Sequence, residues 1–175
     1  MRIPAKIDIG TYRDSDFDYI FHHWEKHQEE IKSGEPLSTD SAERYVCGYP
    51  IPSFQRDLCW TLEQEVRFIE SCWLSGDVGT FTAHKCDWHS DASAMPFSGW
   101  LIDGQQRLTS VERYWCDEFK VFGLYWSELT RLEQIRFKRV KFAHYESSLW
   151  DEAKIRNLYN LKAYGGTPHR PEERA

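Results

Sequence analysis

The stretches able to form β-strands are all short, about four to seven residues, and they interleave with helical stretches at irregular intervals. Val78–His84, Gly99–Ile102 and Val140–Ala143 are the clearest of them. A doubly wound sheet needs strand and helix in regular alternation, which is absent here. The pattern predicts a small α+β domain, a mixed sheet with helices around it.

The helical stretches are recognisable by spacing and caps. Phe17, Ile20, Phe21, Trp24 and Ile31 share one face of a helix over residues 15–33, with Glu25, Lys26, Glu29, Glu30 and Lys32 turned away from it. Thr61 and Gln64 form a capping-box pattern ahead of a helix whose stripe is Leu62, Val66, Ile69 and Trp73, stopping at Ser75-Gly76. Gly104–Glu118 is helical, with Leu108, Val111 and Trp115 buried. A second capping box, Thr130 with Glu133, starts a short helix to Phe137. Asp151–Lys162 is the last helix, with Ile155, Leu158 and Tyr159 inward. Residues 1–14 give no periodic signal, and 35–43 and 85–98 are polar loops. Arg44–Cys47 is a short strand, Lys120–Phe122 is extended, and 164–169 form a glycine turn. The expected division is a helical extension, residues 1–43, packed on a domain of residues 44–175. The extension is also the surface through which a second copy or another protein would dock.

Composition limits the partners. The hydrophobic fraction of 41% is that of a folded protein, and eight Trp supply core anchors or a stacking platform, a choice composition leaves open. A net charge of −6 argues against a protein devoted to gripping duplex DNA. The one basic stretch, Arg131, Arg136, Lys138, Arg139 and Lys141, reads as a solvated helix face. Five scattered cysteines, with no Cys-x-x-Cys pair, predict free thiols in a reducing compartment, with Cys59 and Cys72 in the core. No signal peptide or membrane-length apolar run is present, so a cytoplasmic location and no membrane partner are expected.

Chemistry concentrates at Trp100–Thr109. An apolar strand ends at Asp103, which is placed to cap the following helix, and Gly104 allows a close backbone approach. Gln106 occupies the capping-box position. A helix start with free N–H groups and a positive dipole end is an anion site. Arg107 lies at the inner edge of that helix. Either it holds a phosphate through its planar fork or it pairs with a carboxylate such as Asp57, and residue types alone leave both open. Gln55-Arg56, after Pro50 and Pro52 and before a capped helix, repeats the same logic. His84, Cys86, Asp87, His89 and Asp91 are rich in ligand types but fall in a polar loop and read as solvated. His169, beside the glycine turn, could reach the site.

The order Pro-x-Phe-Gln-Arg-x-x-x-Trp (52–60), Gly79 within a strand, Ile-Asp-Gly-Gln-Gln-Arg-Leu-Thr (102–109) and Tyr159-Asn160 resembles the DUF262 family. That family is the N-terminal domain of GmrSD-type, type IV restriction enzymes, with a ParB/sulfiredoxin-like fold, and the likeness covers roughly residues 44–169. The closing Gly-Gly-Thr-Pro-His resembles small standalone members, many from bacteriophage genomes. The resemblance implies binding and hydrolysis of a nucleoside triphosphate. Asp103, Gln105, Gln106 and Arg107 would be catalytic. Gly104, Gln55, Arg56, Thr109, Asn160 and His169 would bind the ligand. Arg107 and Arg56 would hold phosphates, a glutamine would position water, and Asp103 could hold Mg²⁺. No organic cofactor is expected. In the restriction enzymes an HNH nuclease follows in a C-terminal domain, for which 175 residues leave no room, so DNA cutting by that machinery is not expected. A DNA-binding or nicking protein, and a non-catalytic module that sequesters a phosphate ligand or blocks a defence protein, are the other two readings.

Overall fold

The computed structural model describes residues 6–74 and 78–164. Among these residues the fold is α+β, five α-helices around a small mixed sheet. Strands β1 (Thr11–Arg13), β4 (Phe81–His84), β5 (Leu101–Asp103) and β6 (His144–Ser147) make one sheet in the order β1-β6-β4-β5. Its central pair, β6 with β4, is parallel, and both outer pairings are antiparallel. A two-stranded hairpin, β2 (Tyr45–Val46) with β3 (Tyr49–Pro50), stands apart from it.

Five α-helices surround the sheet: α1 (Phe17–Ser33), α2 (Leu62–Trp73), α3 (Gln105–Trp115), α4 (Arg131–Lys138) and α5 (Glu152–Tyr164). Both capping boxes form, at Thr61/Gln64 and at Thr130/Glu133. The sheet separates two apolar clusters. On one side Leu101, Phe81 and Phe142 join Phe17, Tyr114 and Phe137. There Phe17 stacks on Phe137 at 5.0 Å and meets Phe142 at 5.3 Å, so α1, α4 and the approach to β6 share one aromatic core. On the other side Ile102 packs with Ile155, Leu158 and Tyr159 of α5, the inward residues expected of the last helix.

Several local expectations need correction. β1 falls in the stretch without periodic signal, because an edge strand of three exposed residues has no apolar face to display. The third predicted strand lies four residues late. Residues 140–142 instead hold the start of α1, with Phe17 N donating to Val140 O at 3.1 Å and Phe142 N to Ser15 O at 3.0 Å. The strand proper is His-Tyr-Glu-Ser, polar yet central. His144 is buried there because its Nδ1 lies 2.8 Å from Ser15 Oγ. That hydroxyl also contacts Phe142 O at 2.8 Å; donating its one proton there leaves His144 to donate from Nδ1.

On α1 it is Glu30 that is buried and Ile31 that is exposed, since the loop after the helix turns back over Glu30, whose Oε2 accepts from Ser38 N at 3.1 Å. On α2 Leu62 is exposed and Glu65 is buried, held by Arg113 of α3 at 2.6 Å. Strand β4 starts at Phe81, so Gly79 precedes it, and Lys120–Phe122 is a tight turn closed by a bridge from Val121 to Leu124. All five cysteines are free, but Cys59 is exposed. The predicted stop of α2 and the glycine turn after Tyr164 lie outside the described residues. No helix among the described residues is long and apolar enough to cross a membrane.

Candidate functional site

The site begins with an irregularity in the sheet. Thr82 pairs with Asp103 and Ala83 with Leu101, so Ile102 is an extra residue on β5. A bulge of this kind bends the strand and re-aims the side chain beyond it, here Asp103. Gly104 then turns the chain into α3 with φ of 105°. A Cβ at that position would stand 2.6 Å from Phe81 Cβ, so both the dihedral and the space demand glycine.

Gly104, not Asp103, is the N-cap of α3, and no side chain caps the helix. The aspartate is drawn instead to Arg107, one turn on, with Oδ2 3.3 Å from Nη2. Arg107 also donates from Nη1 to Val78 O at 3.2 Å. Asp57 pairs with Arg44 at 3.2 Å, so it is not the partner of Arg107. Burial lowers the pKa of the Arg107 guanidinium and Asp103 opposes that shift. Space for Arg107 comes from Gly79, where a Cβ would lie 2.6 Å from Nη1. Left uncapped, the N–H groups of Gln105, Gln106 and Arg107 have no acceptor among the described residues.

Gln106 has a different task from the capping-box role expected of it. Its Oε1 accepts from the backbone N–H groups of Cys59 and Trp60, each at 3.1 Å, and its Nε2 donates to Asp57 O at 3.3 Å. These three bonds clasp residues 57–60 to the start of α3. A neighbouring tie comes from Gln55, buried, whose Nε2 donates to Leu101 O. Tyr159 of α5 adds a third, its hydroxyl accepting from Arg56 N at 3.4 Å.

The result is a half-open cleft of about 150 Å³ lined by Gln55, Arg56, Trp60, Asp103–Arg107, Tyr159 and Ala163. Its polar groups are unequal in availability. Gln106 is occupied by the clasp, and Asp103 is shared with Arg107. Gln105 is 8% exposed and makes no hydrogen bond among the described residues, so its amide is free to meet a ligand. Arg56 is exposed and has no ion pair there either.

Thr109 lies further along α3 and Asn160 is exposed on α5; neither lines the cleft. His169 is outside the described residues. Residue types alone did not single out Trp60, Tyr159 and Ala163 as cleft residues, although Trp60 and Tyr159 stand in the quoted motifs. Among the described residues no three His, Cys, Asp or Glu side chains are arranged to hold a metal, and the ring nitrogens of His84 face Lys85 O at 2.8 Å and Leu149 O at 3.2 Å, to one of which the neutral ring donates.

Residues 37–168 match the family model of the GmrSD restriction endonuclease, N-terminal domain. The chain belongs to this family. No curated protein and no solved structure matches it. Every residue lining the cleft falls inside the GmrSD match, whereas β1 and α1 precede it.

Proposed function

We propose that the cleft of this GmrSD N-terminal domain binds a nucleoside triphosphate by its phosphates and hydrolyses the terminal phosphoanhydride. The observation that carries this is the convergence on one cleft of Arg56, Arg107, three helix N–H groups with no acceptor among the described residues, and the Gln105 side chain, which makes no hydrogen bond among them. A helix N-terminus gives several kinds of anion a place; two guanidinium groups beside it favour phosphate. Water attacks the terminal phosphorus, the bond to the bridging oxygen breaks, and nucleoside diphosphate and phosphate leave. Gln105 orients the water. The N–H groups of residues 105–107 and the two arginines hold the oxygens that gain charge, while Gln106 keeps the cleft wall in place.

Asp103 is the only carboxylate among the described residues lining the cleft, and Arg107 takes one of its oxygens. That donor set fits a Mg²⁺ ion only when phosphate oxygens complete its shell. Such an ion would neutralise phosphate charge. Family membership supports a place for the activity in restriction-related processes, and the resemblance of Gly-Gly-Thr-Pro-His to phage members supports a phage-type one. Thermal melting in the presence of nucleoside triphosphates, with and without Mg²⁺, tests binding. A ligand at a hundredfold its Kd raises stability by about 2.7 kcal/mol. Arg56→Ala should lower affinity without lowering the melting temperature of the free protein. No shift with any nucleotide overturns the proposal.

A second reading, contact with a nucleic acid backbone, draws on α4. Arg131, Arg136 and Arg139 are exposed and have no carboxylate partner among the described residues, whereas Arg13, Arg44, Arg67, Arg107, Arg113 and Arg156 all have one. Arg131, Lys138 and Arg139 line a second cleft there, against Asp18. A gel shift at low salt that is lost in Arg131→Glu/Arg139→Glu supports this reading, and no shift at low salt removes it.

A further inference from the structure

The triphosphate site leaves the nucleoside without an enclosure. A cleft of about 150 Å³ is roughly half the smallest volume usual for a drug-sized ligand, so it takes phosphates and leaves base and sugar at the mouth. Gln55, Gln105 and Tyr159 are buried, deep in the cleft. Arg56 and Ala163 are exposed, and Trp60 is half-buried, as are Asp103, Gln106 and Arg107. Of the two aromatic rings that line the cleft, Trp60 and Tyr159, only Trp60 is not buried.

Trp60 is also held in an unusual way. It directly precedes Thr61, the N-cap of α2, a position whose apolar side chain often staples onto the residue five further on. That residue is Glu65, turned away to Arg113, so the indole meets Phe68 instead. The two ring planes meet at 60° with centroids 5.6 Å apart, and no other ring or cation covers Trp60 among the described residues. Its backbone N–H is fixed by Gln106 Oε1, the side chain next to the free helix N–H groups. The sequence that builds the phosphate end therefore also sets the indole beside it.

We infer that Trp60 is a stacking platform for the nucleobase, making the site selective for nucleotides over bare polyphosphate; this rests on the triphosphate reading above. Stacking accepts any base, because every base has a π face. Selection among the four bases by this residue is correspondingly small.

The experiment compares two probes, inorganic tripolyphosphate and non-hydrolysable imido analogues of the four nucleoside triphosphates, by calorimetry on the full chain. Three proteins are used: wild type, Trp60→Leu, which keeps an apolar contact to Phe68, and Trp60→Phe, which keeps a smaller π face. The expected result is nucleotide affinity about tenfold weaker in Trp60→Leu, tripolyphosphate affinity unchanged, and Trp60→Phe near wild type. Equal weakening for both probes would mean that Trp60 merely positions the clasp, and overturns the inference. Nucleotide affinity unchanged in Trp60→Leu overturns it too, with the phosphate site left standing. Wild type binding neither probe removes the triphosphate reading and this inference together. If Trp60→Leu does not fold, the ratio of nucleotide to tripolyphosphate affinity in wild type decides: a ratio near one overturns stacking.

Discussion

Gly79→Ala is the substitution whose effect the site geometry specifies most closely. Gly79 has a φ of +72°, and an added Cβ would lie 2.6 Å from Nη1 of Arg107. Two costs follow, and they are separable. The left-handed backbone disfavours alanine by about 1–2 kcal/mol whatever its surroundings. The close contact falls on the far end of a flexible side chain, so the protein answers by moving Arg107. That movement costs the bond to Val78 O at 3.2 Å and the pairing with Asp103 at 3.3 Å. In a chain of this size the backbone cost alone lowers Tm by about 2–8 °C. Displacing a charged donor should weaken phosphate binding by about tenfold or more, because hydrogen bonds to charged groups are worth about 1.5–3 kcal/mol. The assay is a double-mutant cycle with Arg107→Ala, read by denaturant melts and by tripolyphosphate titration. With Arg107 already gone, Gly79→Ala should cost only the dihedral and should leave the residual affinity unchanged. The coupling should be on the order of 1 kcal/mol. Additivity within about 0.3 kcal/mol would show that Arg107 is not seated against Gly79, and the account of the cleft wall would fail.

Three further outcomes are expected. Gln106→Ala removes three hydrogen bonds and should cost about 1–2 kcal/mol in urea melts, with residues 57–60 becoming the first site of proteolysis; protection equal to wild type contradicts the clasp. Gln105→Ala should leave Tm and nucleotide affinity near wild type while turnover falls at least about a hundredfold, and full turnover in that variant would exclude it as the water-positioning group. For pH, burial holds His23, His27, His84 and His144 below the ordinary imidazole value, so the unfolded chain takes up protons first on acidification. Stability is then complete above the unfolded imidazole pKa near 6.5 and is lost as pH falls through it towards the lower folded values. Tm measured from pH 8 to about 5.5 should fall, with part of the fall absent in His144→Gln, and a rise on acidification contradicts the assignment.

Helices were legible in the sequence where local chemistry decides them. Thr61 with Gln64 and Thr130 with Glu133 announce their helices because a capping box is a contact within four residues. β6 was not legible, since His144 and Ser147 are buried by partners contributed from elsewhere in the chain, Ser15 above all for the histidine. The same division runs through the site. Asp103, Gly104 and Arg107 stood out as a strand–turn–helix, and the structure places them together with Gln55 and Arg56 on one cleft. The division of labour between the two glutamines was beyond reach, because it depends on residues 57–60 lying against Gln106 rather than Gln105. The need for Gly79 was hidden for the same reason: what it makes room for is 28 positions further on, as the numbers 79 and 107 show.

The order β1-β6-β4-β5 has a consequence for how the molecule is made. Thr11–Arg13 is made well before His144–Glu146, its only strand partner among the described residues. β4 must likewise wait for β6, while β5, α3 and the clasp draw only on residues made before β6. A chain growing from its N-terminus can therefore rehearse the phosphate end of the cleft before its sheet can close. Long-range pairings of this kind slow folding, and they leave Thr11–Arg13 unpaired until His144–Glu146 is made. Final closure waits on four polar residues, His144 to Ser147, being threaded between strands that were both made earlier.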